Sequence, residues 1–120
     1  MNALRELKYL LEDYKLTTDD IRCAHISFSI DVFDEDPDYI EYQKELYDDF
    51  KEFILLEAHS SQDINDFLKF MNTEYDDGYG GQNLFGKIWF YDNSWIERHE
   101  YDGSEWWEYK KFNIPEYLQK

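Results

Sequence analysis

The sequence predicts an α+β domain, with about three helices packed on a mostly antiparallel sheet of about four strands and a C-terminal three-stranded meander. Three observations carry that prediction. Apolar residues recur at helical spacing in residues 3–14, and again after Pro37 and after Ser60. Residues 26–32 alternate apolar and polar, the period of a half-buried strand. Residues 84–112 hold all four tryptophans and two turn signals, Asp92-Asn93 and Asp102-Gly103, spaced for three short strands.

Taken in order, Leu4, Leu7, Leu10, Leu11 and Tyr14 form the apolar stripe of the first helix, and residues 17–20 are a polar break. Ile26, Phe28, Ile30 and Val32 then alternate with Ser27, Ser29 and Asp31, in a strand expected to pair with the meander. Asp36 can cap a helix and Pro37 suits its first position, so a long helix is expected from there to about Glu57. Its buried side would draw on Tyr39, Tyr42, Leu46, Phe50, Phe53, Ile54 and Leu56. Ser60-x-x-Asp63 is a capping pattern that opens a shorter helix with Ile64, Phe67, Leu68 and Met71 inward. Residues 74–82 read as a glycine-rich acidic loop.

In the meander, two-residue loops at both turns would put Ile88, Phe90, Trp95, Glu97, His99 and Trp106 on one face. Trp89, Tyr91, Ile96, Arg98, Trp107 and Tyr109 would share the other. The pattern leaves open which face is buried, since a bulge at Gly103 would shift the register and exchange them.

A chain of 120 residues, 42% hydrophobic and 20% aromatic, suits a single domain over residues 1–120 with a real core. Cys23 is the only cysteine, which excludes an intramolecular disulfide and fits a reducing compartment. The first residues lack a signal peptide's apolar run, and no stretch is long enough to cross a bilayer. A cytoplasmic protein is expected.

The charge is uneven. Twenty-eight acids against twelve bases give −16, and residues 31–77 alone hold sixteen acids with only Lys44, Lys51 and Lys69. Such a field repels nucleic acid and anionic membrane and attracts basic surfaces. Asp38, Glu41, Glu45, Asp48 and Glu52 fall at steps of three and four, so they would line one face of the expected helix. There the carboxylates would recur about every 5 Å. With Asp34, Glu35, Asp36, Asp49, Asp76 and Asp77 they are the candidate partner-binding residues, a surface that imitates phosphates. The plain alternative is an ordinary solvated helix face, and the extra acids around it weigh against that.

Other chemistry is weaker. Asp34-x-Asp36-x-Asp38, with Glu45 in twelfth place, imitates a calcium loop, but Tyr39 stands where glycine is required and Pro37 falls between the ligands. Cys23-x-His25 supplies two ligands where zinc needs three or four. Gly78, Gly80 and Gly81 follow Asp76 and Asp77, which would repel a phosphate. Neither a metal nor a cofactor is expected. Glu97 and Glu108, beside Trp95 and Trp106, could form a glycosidase-like pair, the basis of a carbohydrate-active alternative. The short chain leaves little room for a cleft, so no catalytic residue is assigned and the expectation is not an enzyme. The aromatic sheet has the form of a base-stacking platform with the wrong charge, so its exposed rings fit a protein interface better.

In size, acidity and composition the whole chain resembles the bacterial and phage DNA-mimic proteins, among them small monomeric ones directed at the histone-like nucleoid protein HU. The resemblance implies a monomer that occupies the DNA site of a basic DNA-binding protein and touches neither nucleic acid nor membrane itself. The runner-up is an inhibitor or immunity protein for a nuclease or toxin, using an aromatic sheet face.

Overall fold

A computed structural model describes residues 1–28, 51–75, 82–102, 104–112 and 114–119. Five antiparallel strands form one sheet: β1 (Ile21–Phe28), β2 (Lys51–Leu55), β3 (Leu84–Phe90), β4 (Ser94–Tyr101) and β5 (Ser104–Lys111). Their spatial order is β2-β1-β3-β4-β5. Two α-helices, α1 (Ala3–Asp13) and α2 (Ser61–Met71), contribute to a core with one face of that sheet. The described residues are therefore α+β, but with five strands rather than about four and two α-helices rather than about three.

The helices start for local reasons. Asn2 caps α1, its side-chain oxygen accepting from the Arg5 N–H at 3.0 Å. Ala3, Leu7 and Leu11 then fall on one buried stripe. Ser60 opens α2 with a reciprocal capping box: its hydroxyl accepts from the Asp63 N–H, and the Asp63 carboxylate accepts from the Ser60 N–H. Phe67 and Met71 face the core, with Ile64 and Leu68 half-buried beside them.

The expected long helix does not reach Glu57. Lys51–Leu55 is the edge strand β2, with Ala24 opposite Leu55 and Phe28 opposite Lys51. Phe53 and Leu55 turn inward while Glu52 and Ile54 turn out, a period of two that a helical count of Phe53, Ile54 and Leu56 conceals. Ile54 and Leu56, counted there as core, are both more than half exposed. The earlier part of that helix, residues 29–32 of the expected strand and most of the glycine-rich loop lie outside the described residues.

Strand β1 starts five residues before the alternation becomes visible. A register shift between Ile21 and Cys23 puts Ile21 inward three positions ahead of Ala24, which breaks the period of two. Where β1 meets β3, Gly86 takes a φ of +136°, and a Cβ there would sit 2.1 Å from the His25 carbonyl oxygen. Only glycine allows these backbones to come together.

The β3–β4 turn has three residues, not two. Trp89 pairs with Trp95, and Asn93 adopts the left-handed conformation that closes such a loop, at φ 68°. The β4–β5 turn has the expected two residues, with Tyr101 opposite Ser104. The longer first loop moves β3 by one residue against β4. Ile88 and Phe90 therefore join Ile96, Arg98 and Trp107 on the inner face, and Trp89 joins Trp95, Glu97, His99 and Trp106 on the outer one.

The inner face buries one cation. Arg98, with 1% of its side chain exposed, donates to Glu6 of α1 at 2.8 Å and to the fully buried Glu105 of β5 at 2.7 Å. Its guanidinium lies 5.5 Å from the Tyr75 ring and 5.0 Å from the Trp107 ring. Glu105 also accepts the backbone N–H groups of Asn83 and Leu84, and the Tyr75 hydroxyl donates to Glu6. Burial, with that hydrogen bond to Glu6, pushes the Tyr75 phenol well above its ordinary range. No helix among the described residues is long and apolar enough to cross a membrane.

Candidate functional site

The two ends of the sheet differ in kind. At the first, Phe28 is the register partner of both Lys51 on β2 and Leu84 on β3. The Tyr75 ring lies 6.4 Å from the Phe28 ring. The described residues that flank positions 29–50 and 76–81 are therefore neighbours. By sequence those two segments carry eleven of the twenty-eight acids and a single base, Lys44. Both are attached at one end of one sheet.

Of the eleven candidate phosphate-mimicking residues, Asp34, Glu35, Asp36, Asp38, Glu41, Glu45, Asp48, Asp49, Asp76 and Asp77 lie outside the described residues. Glu52 lies within them and corrects the expectation. It stands on β2, not on a helix, and its carboxylate meets His25 Nε2 at 3.1 Å. A helical ladder cannot extend through it.

On the outer face, Ile54, Phe85, Trp89 and Trp106 stay more than a third exposed, and neither α1 nor α2 supplies a residue to it. Its charges are largely matched. Glu97 meets Lys110 at 2.8 Å and Lys87 at 3.9 Å, and His99 meets Glu108 at 3.0 Å. Glu97 and Glu108 are register partners, as a glycosidase-like pair would require. The hydrogen bond from Lys110, aided by one from Trp95 Nε1, holds the Glu97 carboxyl below its ordinary range. An ionised carboxyl suits the nucleophile or base of such a pair and not its acid, a role that would fall to Glu108.

At the second end, opposite the acid-rich attachments, the outer face carries a groove of about 850 Å³. The start of β1 gives it Arg22 and Cys23, the end of β3 gives Trp89, and the turn and first part of β4 give Asn93, Trp95 and Glu97. Lys87, Glu57, Phe90, Ser94 and Phe112 complete the wall. Arg22 Nε meets Glu57 at 3.0 Å. Burial and the Glu57 charge push the Cys23 thiol up, which favours its protonated form. No family model matches the chain, and no curated protein or solved structure is significantly similar to it.

Sequence reasoning missed Arg22, Glu57 and Asn93. Their convergence depends on a strand beginning at Ile21, a strand at Lys51–Leu55 and a three-residue turn, none of which the periodicity indicates. Among the described residues no group of three or more His, Cys, Asp or Glu is placed to hold a metal ion.

Proposed function

We propose that this protein is a binding protein that presents its acid-rich end to a basic DNA-binding protein and competes there with DNA. The observation that carries the reading is the meeting of Phe28, Lys51, Leu84 and Tyr75, which ties two segments with eleven acids and one base to one end of the sheet. Carboxylates concentrated there would engage lysine and arginine side chains that otherwise contact phosphates. Displacement of DNA would follow from competition alone, with no chemistry. A nucleoid protein such as HU has the required character, and the protein would act as a monomer.

Exposed charges interact across about 8 Å at physiological salt, so association should be fast at low salt and weaken steeply as salt rises. The test is binding of a purified basic DNA-binding protein, read by displacement of labelled DNA over a salt series. Reversal of Glu41, Glu45 and Asp48 to lysine should abolish the displacement. Displacement that survives the reversal would overturn the reading.

A second reading has its own support. Trp89, Trp106, Phe85 and Ile54 form an exposed outer face of the kind that centres protein interfaces, which would suit an inhibitor or immunity protein of a nuclease or toxin. There Trp106→Ala should weaken binding by ten-fold or more, and the charge reversal should change it little.

A further inference from the structure

We propose that the groove between the start of β1, the end of β3 and the β3–β4 turn binds a neutral pyranose sugar, at about the size of a disaccharide. This does not rest on the acid-rich end, which lies at the other end of the sheet. The volume of about 850 Å³ falls in the range of small-molecule sites and exceeds what one ring would fill.

Two features of the wall select the ligand. Trp89 and Trp95 are direct cross-strand partners and both line the groove. The π face of an indole is electron-rich, and it attracts the weakly positive C–H groups that cover one side of a pyranose ring. Around the indoles stand two opposite-charge pairs, Arg22 with Glu57 at 3.0 Å and Lys87 with Glu97 at 3.9 Å, and the amide of Asn93. Each ion is steadied by its partner yet keeps unused hydrogen-bonding capacity, because a guanidinium has five N–H donors and a carboxylate about four acceptor positions. Alternating donors and acceptors at fixed places suit vicinal hydroxyls, each of which both donates and accepts.

The same wall disfavours charged ligands. The four ionised side chains that line the groove cancel, and Lys110, 2.8 Å from Glu97 behind the wall, adds a single positive charge that gives an ion little hold. Anionic sugars and nucleotides would also meet the overall charge of −16. A quaternary ammonium, which aromatic cages otherwise accept, would find Glu57 and Glu97 already engaged by Arg22, Lys87 and Lys110.

The test is isothermal titration calorimetry of the full chain with cellobiose, maltose and N,N′-diacetylchitobiose, with glucuronic acid and glucosamine as charged comparators. Saturable binding of at least one neutral disaccharide is expected. Trp89→Ala and Trp95→Ala should each weaken it by about ten-fold or more. Tyr101→Ala, at an exposed aromatic at the other end of the sheet, should leave it within about two-fold. Circular dichroism checks the fold, and Arg22→Gln and Glu57→Gln, both at exposed side chains, should weaken binding several-fold should a tryptophan variant not fold. No saturable heat with any of the three disaccharides at tens of millimolar would overturn the proposal. So would binding indifferent to all four groove substitutions, or tighter binding of either charged comparator.

Discussion

The two ends of one sheet handle charge in opposite ways. At the groove end, Arg22 pairs with Glu57 and both Lys87 and Lys110 meet Glu97 beside two indoles, so acids and bases are nearly balanced. At the other end, Phe28, Lys51, Leu84 and Tyr75 flank segments in which eleven acids share one lysine. Paired charges position donors and acceptors for a ligand of defined shape. An unmatched excess has no such shape to offer, and acts by long-range attraction on whatever is basic. On the two proposals above, one end of the sheet would serve short-range recognition and the other steering.

Arg98 is where the acid-rich end can be broken most severely. It joins α1, β4 and β5, touches the Tyr75 hydroxyl at 3.1 Å, and shares Glu105 with the N–H groups of Asn83 and Leu84. Both described flanks of residues 76–81 therefore lean on one buried cation. Replacing it with Met leaves the Glu105 carboxylate buried without its cation, held only by the N–H groups of Asn83 and Leu84. Chemical denaturation should show a loss of about 3–5 kcal/mol, with the groove's tryptophans exposed in the same transition. A loss under about 1 kcal/mol would mean that Glu105 finds another partner or water.

A smaller effect is expected at the start of α2. Ser60→Ala removes one side of the capping box and should cost about 1 kcal/mol by the same measurement. Ser60→Asp should restore most of it, since a carboxylate also accepts from the N–H groups of the first turn.

Smallest and most specific is the acid limb of the outer face. Hydrogen bonds from Lys110 lower the Glu97 carboxyl, and those from Ser94 lower that of Asp92. Each group binds its proton less tightly folded than unfolded. Their contribution to stability is therefore present above the ordinary carboxyl value of about 4 and is lost as pH falls through the lower folded values. Glu97→Gln should flatten the stability profile below about pH 5 and leave its slope near pH 7 unchanged. An identical acid limb in the variant would show that Glu97 is not held as described.

Much of the fold was legible because local signals stood alone. The Ser60–Asp63 capping box, the leucine stripe of α1 and the Asp102-Gly103 turn each involve residues within a few positions of one another. The errors came where local and non-local preferences disagree. Residues 51–55 follow a run with helical spacing, yet pairing with β1 gives their backbone groups partners and turns Phe53 and Leu55 onto the core. One extra residue in the β3–β4 loop moved Trp89 to the outer face, and turn chemistry alone does not count loop residues. The register shift after Ile21 hid the start of β1. Of the candidate site, the concentration of acids was plain in composition. Its attachment to a single end of the sheet was not, because that depends on which strands are neighbours.

Recognition of a basic DNA-binding protein by the acid-rich end, as proposed, is open to a direct test. The most direct measurement is affinity capture from bacterial lysate at low salt, eluted by a salt gradient and identified by mass spectrometry, beside a variant with Glu41, Glu45 and Asp48 reversed to lysine. A DNA-binding protein such as HU should elute at moderate salt from the native protein and be missing from the variant. Capture of no basic protein, or of the same proteins by both, would contradict it.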